Sequence, residues 1–426
     1  MSVGILLNHV IRNSLKLPKE YQEVTTIRSS GGSGKPYIDT GYTPNNNTRV
    51  KASMQWYSNS NSAWGGFGAA TSATSRAFET YSYSNALNIC FGSHNIGADT
   101  SGHWNVTLYH LYEIDFNKRV YTAKDNSDNG ASKTWTMNAS TFTAPYTMYL
   151  FGSHRATPSY AEICFCGKVL IWDNDVLVRY LVPCYRKSDD VIGYYDLVND
   201  KFYSSPTGRF WRDVAVKKLP NAYQQVDSIT SSGTQYIDTG LDISGGYRIH
   251  ARMTMANQSD QNDTFFGTEN SADPYGSVCV RKNGTGTNLQ YLTGNGGVNG
   301  TMTATDSDPT VELKAQGSAS SISRISAWQS DVSASGSYPT TISSNPLFIF
   351  GANLGGTAGR MVASTLKEFT VWDGNNKMIG DFVPCYRKSD NEIGLYDTVQ
   401  HRFLTNAGTG AFTKGGNVYS TIEKIV

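Results

Sequence analysis

The chain of 426 residues lacks an excess of charge of either sign. It has 36 lysine and arginine residues against 35 aspartate and glutamate residues, which gives a formal net charge of +1. A nucleic-acid-binding domain needs a basic face that neutralises phosphates, and no basic stripe is interleaved with the aromatic residues in this sequence. The composition therefore argues against nucleic acid as a partner.

Long apolar segments are also missing. No run approaches the roughly 18 apolar residues that a membrane-spanning helix needs. Residues 1–14 have a short apolar core but neither a basic start nor a small-residue cleavage pattern, so they resemble a secretory leader poorly. We expect no membrane insertion, and we expect any extracellular role to depend on a route other than a classical leader.

Cysteine is sparse and its spacing is uninformative for chemistry. The six cysteines form no C-x-x-C pair and no Cys/His ligand pattern, which excludes the usual zinc and redox motifs. Cys184 and Cys385 occupy the same place in two related segments, where we interpret them as small buried apolar residues. The sequence also has no Gly-x-Ser-x-Gly, His-Glu-x-x-His or P-loop pattern, so esterase, metalloprotease and nucleotide-dependent functions have no support.

What the sequence does contain is a duplication. The octapeptide VPCYRKSD at residues 182–189 returns unchanged at residues 383–390, and YIDTG at residues 37–41 is repeated at residues 236–240. Partner positions stay about 200 residues apart, which indicates two complete domains rather than a shared motif. The repeat motif consists of Pro183, Cys184, Tyr185 and Arg186 in the first copy and Pro384, Cys385, Tyr386 and Arg387 in the second.

The repeat spacing divides the chain into four parts. We predict an N-terminal arm at residues 1–16, a first domain at 17–216, a second domain at 217–416 and a C-terminal tail at 417–426. The arm has apolar residues at helical or extended spacing and is too short to be stable alone. We therefore expect it to attach the protein to other components or to mediate oligomerisation, with simple packing on the body as the alternative.

Both domains have the composition of an all-β protein. Glycine, serine, threonine, asparagine and tyrosine are abundant, and short alternating runs such as residues 48–56 and 247–255 are separated by turn signals. Many short strands favour a two-sheet sandwich in each domain, closed by pairing of its first strand with its last. We expect Pro183 and Pro384 to end a strand, because proline donates no ladder hydrogen bond, and Gly193 and Gly394 to permit a close bend.

These motifs resemble a known family of modules. The YIDTG segment, the Trp-Asp hairpins at residues 172–173 and 372–373, and the run at residues 381–412 are similar to laminin-G-like, concanavalin A-like jelly-roll modules of bacteriophage virion proteins and Gram-positive surface proteins. The resemblance covers nearly all of residues 17–415. It implies two tandem jelly-roll domains, whose relatives bind glycans, bind proteins or serve as structural lobes.

The concanavalin-like fold also includes glycoside hydrolases, which need two carboxylates facing the scissile bond. Glu113 and Asp115 resemble the opening of one hydrolase signature, but the further glutamate of that signature is missing. In the second copy the matching segment is Glu312-Leu313-Lys314, in which a cation replaces the aspartate. We therefore expect a protein that is not an enzyme.

Aromatic side chains among serine and asparagine are the best candidates for ligand contact. Flat rings stack on sugars while amides and hydroxyls bind their hydroxyl groups, although such rings also fill sandwich cores. We expect Trp64, Tyr81 and Tyr83 to be the most exposed. The candidate glycan-binding residues are Trp64, Tyr81, Tyr83, His94 and Trp104 in the first domain and Tyr275 and Tyr291 in the second.

The loops of the second domain suggest one further possibility. Asp260, Asp263 and Asp273 could supply oxygen ligands to calcium, as in some laminin-G-like modules, although exposed loop acids are common. We otherwise expect no cofactor.

The most specific hypothesis from the sequence is a non-catalytic bacteriophage virion protein. It would be a fibre, appendage or decoration protein, made in the host cytoplasm, attached to other virion proteins by its arm and acting as a homo-oligomer that binds host-surface glycan. The alternative is a purely architectural protein of a capsid, a tail or a bacterial cell surface, with protein partners only.

Overall fold

The computed structural model describes most of the chain after the N-terminal arm. The described residues are 16–29, 35–56, 64–72, 75–97, 104–105, 110–127, 130–157, 159–160, 163–254, 263–270, 277–282, 288–294, 296–301, 310–316, 320–326, 329–336 and 342–420. Every regular element among them is a β-strand, and none of the described segments forms a helix able to cross a membrane. The predicted arm lies outside the described residues except for Lys16, as does the tail beyond Ser420.

The chain divides into two compact units, with the boundary between Val216 and Lys217. Unit 1 contains the described residues up to Val216 together with Ser420, and unit 2 contains residues 217–419. Each unit has an all-β, two-sheet architecture, so the predicted fold class of two tandem β-sandwiches is confirmed.

The described part of unit 1 has nineteen strands. They are β1 Tyr21–Glu23, β2 Thr26–Ser29, β3 Ile38–Asp39, β4 Thr48–Trp56, β5 Trp64–Ala69, β6 Ala77–Tyr83, β7 Ala86–Gly92, β8 His94–Gly97, β9 Leu111–Asn117, β10 Val120–Asp125, β11 Ser132–Thr136, β12 Tyr149–Leu150, β13 Gly152–Ser153, β14 Ser159–Tyr160, β15 Ile163–Asp173, β16 Val176–Arg186, β17 Ile192–Asp196, β18 Lys201–Ser204 and β19 Phe210–Arg212.

These strands form two main sheets. The larger sheet has the order β11-β10-β9-β4-β15-β16-β17-β18, with β1 paired to β16 and β2 paired to β15 and β19. The smaller sheet has the order β3-β12-β5-β6-β7-β8, and β13 pairs with β14. The first predicted strand, β3, therefore pairs with β12 rather than with the end of the domain, and the short strand β2 pairs with the last strand instead.

The described part of unit 2 also has nineteen strands. They are β20 Tyr223–Gln225, β21 Ile229–Thr230, β22 Ile237–Asp238, β23 Tyr247–Thr254, β24 Thr264–Glu269, β25 Ser277–Lys282, β26 Asn288–Gly294, β27 Gly296–Thr301, β28 Thr310–Gln316, β29 Ser320–Ser326, β30 Gln329–Gly336, β31 Phe348–Ile349, β32 Ala352–Leu354, β33 Thr357–Gly359, β34 Thr365–Asp373, β35 Met378–Arg387, β36 Ile393–Asp397, β37 Arg402–Thr405 and β38 Thr413–Lys414.

Unit 2 repeats the topology of unit 1. Its larger sheet has the order β30-β29-β28-β23-β34-β35-β36-β37, which is the order of unit 1 shifted by nineteen strands. Its smaller sheet has the order β22-β31-β24-β25-β26-β27, extended by β32 and β33. Positions in the two units can therefore be matched by strand register.

The core of each unit lies between its two sheets, because strand residues alternate between faces. Strand β4 of the larger sheet buries Val50 and Met54, and strand β6 of the smaller sheet buries Phe78 in the same cluster. The equivalent cluster of unit 2 contains Ile249 and Phe266. Each such side chain contributes about 1.5–3 kcal/mol when it is removed from water.

The repeated octapeptide does not end its strand at proline, so that prediction is wrong. Strand β16 continues through Pro183 to Arg186. The N–H and C=O of one residue in an antiparallel ladder point toward the same neighbour, and the carbonyl of Pro183 accepts from the N–H of Val24 at 3.0 Å. The missing donor thus falls where the short strand β1 ends, while pairing with β17 continues. Pro384 repeats this arrangement in β35.

Gly193 and Gly394 do not form bends but lie inside β17 and β36. A Cβ on Gly193 would lie 2.0 Å from the carbonyl oxygen of Tyr203, and a Cβ on Gly394 would lie 2.1 Å from that of Leu404. Glycine is therefore required for close approach of the next strand.

The two repeat cysteines are buried, as predicted. Cys184 and Cys385 each have 0% relative exposure and are free thiols. Burial raises the pKa of the Cys385 thiol to about 12, which keeps it protonated and unreactive.

Candidate functional site

The smaller sheet of unit 1 has an outer face, meaning the side away from the core, that carries polar and aromatic side chains. On β6, Phe78 belongs to the core, whereas Glu79 and Tyr81 point to the opposite side by strand alternation. One register row crosses all six strands of the sheet: Asp39, Tyr149, Gly68, Glu79, Cys90 and Asn95.

Tyr81 lies on this face but is only 4% exposed, so the expectation that it is exposed is wrong. Its ring packs with Ala77 and Cys90, and the guanidinium of Arg155 lies 5.4 Å from the ring centroid. The Tyr81 hydroxyl accepts a hydrogen bond from Asn95 at 2.9 Å. Burial raises the pKa of Tyr81 to about 12.

Tyr83 is 49% exposed, as expected. It precedes a two-residue hairpin turn in which Ser84 and Asn85 have φ values of 48° and 63°, the type I′ geometry that matches strand twist. The side chain of Asn88 donates to the Tyr83 carbonyl at 3.2 Å and to the Ala86 carbonyl at 2.9 Å, which fixes the turn.

The other predicted residues of unit 1 do not join Tyr83. His94 is half-buried in β8, pairs with Phe91, and accepts a hydrogen bond from the Asn138 N–H at its Nδ1 atom, at 3.0 Å. Trp104 is 7% exposed and packs edge-on against Trp135 with centroids 5.1 Å apart. The Trp104 ring is therefore buried, and its role as a ligand contact stays a prediction.

Three predicted residues cannot be placed at the level of side chains. Trp64 begins β5 and Tyr291 pairs with Val280 in the backbone register, but their side chains lie outside the described part. Tyr275 lies outside the described residues altogether. Their roles in ligand binding stay predictions.

Four rings that the sequence analysis did not single out form a continuous stack on the outer face. Tyr37 stacks on Tyr149 at 4.3 Å, Tyr149 stacks on His154 at 3.9 Å, and His154 stacks on Tyr146 at 4.7 Å between centroids. We refer to Tyr37, Tyr149, His154 and Tyr146 as the aromatic stack. Tyr149 is buried, whereas the other three rings are half-buried.

The stack depends on a sharp change of direction after β12. Phe151 is fully buried and has φ of 64°, a left-handed conformation that is rare for a bulky residue. This conformation sends residues 152–155, which we call the strap, across the outer face. There the His154 N–H donates to the Gly68 carbonyl at 3.1 Å, and Nδ1 of the ring donates to the Thr147 carbonyl at 2.8 Å.

A buried ion pair fixes the strap. Glu79 has 0% relative exposure, and Nε of Arg155 donates to its Oε2 at 3.1 Å. A second nitrogen of Arg155 and the Ser153 hydroxyl also contact this carboxylate. Both carboxylate oxygens are therefore satisfied, as a buried charge requires.

Unit 2 has the same strap but an incomplete stack. Tyr236 stacks on Phe348 at 4.8 Å, which matches the first two rings of unit 1. At the position of His154 unit 2 has Asn353, whose side-chain nitrogen donates to the Pro346 carbonyl at 3.0 Å. At the position of Tyr146 it has Asn345. Asn353 therefore makes the hydrogen bond that His154 makes in unit 1 but provides no aromatic ring.

Calcium binding and hydrolysis gain no support from the described side chains. The described residues contain no group of three or more His, Cys, Asp or Glu side chains placed to hold a metal, and Asp260 and Asp273 lie outside them. Calcium stays a prediction. In β9 the Asp115 carboxylate is engaged by Arg49 at 2.7 Å and Lys51 at 3.5 Å, on the larger sheet.

Comparisons with known proteins found similar solved structures at low identity. No protein-family model and no curated protein matches the chain. Domains LG4-5 of the mouse laminin alpha1 chain are 11% identical, with coverage of 95% of this chain and 96% of that one and a TM-score of 0.29. The LG1-3 region of the laminin alpha2 chain is 9% identical, with coverage of 93% and 66% and a TM-score of 0.27.

Proposed function

We propose that unit 1 binds glycan through the outer face of its smaller sheet and that the protein is a non-catalytic binding protein. The aromatic stack carries this proposal, because its last two rings are not needed by the fold. Unit 2 keeps the same strands and strap with Asn345 and Asn353 at the positions of Tyr146 and His154. Tyrosine and histidine rings add apolar contact area, which sugars recognise.

The geometry favours contact with the end and the edges of the stack. The inner faces of Tyr149 and His154 are covered by their neighbours at 3.9–4.7 Å. Tyr146 has one face outside the stack and is half-buried, so a pyranose can lie against it. The exposed Tyr83 ring and the amide of Asn95 lie on the same outer face and add a second contact area.

The test uses the substitutions that unit 2 already tolerates. Tyr146→Asn combined with His154→Asn converts the end of the stack to the composition of unit 2. We expect folding to be retained and affinity for host wall polysaccharide to fall by about tenfold or more, since two stacking rings at about 0.5–1.5 kcal/mol each are lost. Binding is measured on a glycan array and by isothermal titration calorimetry.

The matched control is Tyr419→Ser, which removes a 64% exposed tyrosine from unit 2 and should leave binding unchanged. Equal binding by the wild type and the double variant, or no binding of any host glycan by the wild type, would remove the glycan proposal.

We further propose that the protein belongs to a bacteriophage virion, as a fibre, appendage or decoration protein that is attached through its N-terminal arm and acts as a homo-oligomer. The resemblance of the repeat motif supports this placement. Deletion of residues 1–16 should abolish assembly and preserve glycan binding. Loss of assembly by a chain that binds no glycan would instead favour a purely architectural role with protein partners.

A further inference from the structure

The outer face of the larger sheet differs between the units at one arginine. By strand register Arg248 of β23 occupies the position of Arg49 of β4: Arg49 lies opposite Trp172 and Arg248 lies opposite Trp372. Both guanidiniums lie over the indole, with Cζ 5.1 Å from the Trp172 centroid and 3.8 Å from the Trp372 centroid. The cation and its platform are thus present twice.

In unit 1 the guanidinium of this arginine is paired with a carboxylate of the same chain. Nε and Nη2 of Arg49 donate to Oδ1 and Oδ2 of Asp115 at 2.9 and 2.7 Å. This two-bond contact matches the planar fork of a guanidinium to a carboxylate. Lys51 adds a second cation 3.5 Å from the same carboxylate.

In unit 2 that carboxylate is replaced by a cation. Asp115 lies opposite Lys51 in β4, and the matching residue opposite His250 in β23 is Lys314. Within the described residues the buried Nε of Arg248 has no hydrogen-bond partner. A shielded donor without an acceptor is unfavourable, and more so when it is charged.

The charges around Arg248 favour an anion from outside the chain. Its strand neighbours are Gln316 and Trp372, and the next row contains Lys314, His250 and Thr370. The nearest acid in register, Asp381 of β35, lies opposite Thr370 and is already paired with Lys217 at 2.9 Å. Glu312 and Glu368 lie opposite Arg252, two rows farther along the strand. The rows of Arg248 and His250 therefore carry no carboxylate on β28 or β34.

We propose that Arg248 and Trp372 form an anion-binding subsite on unit 2, at which Lys314 has the register position of Asp115, and that it takes a carboxylate or phosphate group of an acidic polysaccharide. The anion occupies the place that Asp115 occupies in unit 1, with the sugar ring beside the indole. Carboxylate and phosphate share the paired oxygens that the guanidinium fork recognises. This subsite involves neither the outer face of unit 1 nor its aromatic stack, so the two proposals can fail separately.

A reciprocal exchange in the full-length chain tests the subsite. Lys314→Asp restores an internal carboxylate beside Arg248 and should weaken binding of oligogalacturonate or oligo(glycerol phosphate) by about tenfold or more, since a charge-assisted pair is lost. Asp115→Lys removes the carboxylate that pairs with Arg49 and should add a second anion-binding site per chain. Calorimetric titration gives both affinity and stoichiometry, with thermal unfolding to confirm that each variant folds.

The matched control is Arg49→Gln, which should leave binding unchanged, whereas Arg248→Gln should reduce it as Lys314→Asp does. A preference for one of the two oligomers identifies the group as carboxylate or phosphate and supports the subsite. Wild-type affinity in Lys314→Asp, or equal competition by neutral dextran oligomers, would overturn it.

Discussion

The two units differ most clearly at a single buried position on their larger sheets. In unit 1 Tyr180 packs with Leu170 and Val182 in an apolar cluster. In unit 2 the equivalent residue, Asp381, pairs with Lys217 at 2.9 Å and accepts a hydrogen bond from Thr398 at 2.7 Å. The backbone is the same in both units: the Tyr180 carbonyl accepts from the Leu197 N–H at 2.8 Å, and the Asp381 carbonyl accepts from the Thr398 N–H at 2.9 Å. An apolar and a charged side chain thus occupy equivalent positions.

This comparison teaches that the frame and its faces are specified separately. Strand order, the left-handed phenylalanine and the glycines inside β17 and β36 are the same in both units. Among the described residues, the complete aromatic stack, the Arg49–Asp115 pair and the Tyr180 cluster each occur in unit 1 only. Features shared by both units are therefore expected to affect stability alike, and features of one unit are expected to affect binding or stability of that unit alone.

The largest expected effect on stability comes from substituting a glycine that occurs at the same position in both units. Gly193→Ala and Gly394→Ala place a Cβ 2.0 and 2.1 Å from a backbone carbonyl oxygen, so each should destabilise its own unit by about 3 kcal/mol through overpacking. Urea unfolding monitored by circular dichroism measures both. Gly245→Ala, where no atom lies within 4 Å of the added Cβ, is the control. Unchanged unfolding of the Gly193 variant would contradict the role of close strand approach.

A smaller effect on stability is expected from substituting the two buried glutamates, whose hydrogen bonding differs. Glu79 has both oxygens bonded by Arg155 and Ser153, whereas Oε2 of the equally buried Glu269 has no hydrogen-bond partner within the described residues. Glu79→Gln should cost unit 1 about 2 kcal/mol, because a charge-assisted network loses one member. Glu269→Gln should cost unit 2 less. Denaturant unfolding of the two variants measures the loss of stability in each unit. An equal loss would contradict the difference in hydrogen bonding between Glu79 and Glu269.

The smallest expected effect is a pH dependence confined to unit 2. Burial raises the pKa of Glu269 above its ordinary value, although Arg360 opposes the shift. The folded state therefore binds this proton more tightly than the unfolded state, so stability falls as pH rises from the ordinary glutamate pKa through the raised one. Thermal unfolding between about pH 4 and pH 7 should show a decline that Glu269→Gln reduces. A decline of the same size in the variant would assign the dependence to other groups.

The sequence predicted the frame better than the site. Strand β4 has its predicted bounds because its apolar residues alternate without interruption from Thr48 to Trp56. Strands β1 and β2 were missed because segments of three or four residues carry too little pattern. Pro183 was misread because sequence alone does not show on which side of the strand the missing donor falls.

The candidate site was found only in part, since its surroundings come from distant segments. By strand alternation, Tyr81 and Tyr83 lie on the same face of β6. The Arg155 side chain of the strap packs on the ring of Tyr81, which is buried, whereas Tyr83 is exposed. The aromatic stack joins Tyr37 to residues 146–154, and the turn at Phe151 that aligns its rings has no sequence signature. One signal was available: between otherwise matched copies, Tyr146 and His154 are replaced by asparagine.

The left-handed phenylalanine has a practical consequence for engineering. Phe151 at 64° and Phe350 at 66° give both units the same exit from the sheet, so the segment that follows can be treated as an interchangeable cassette. Grafting the residues after Phe151 into the place after Phe350, together with a tyrosine for Asn345, would transplant the proposed recognition surface without redesigning the scaffold beneath it. Libraries of new binders could then be built by varying that short stretch in either half.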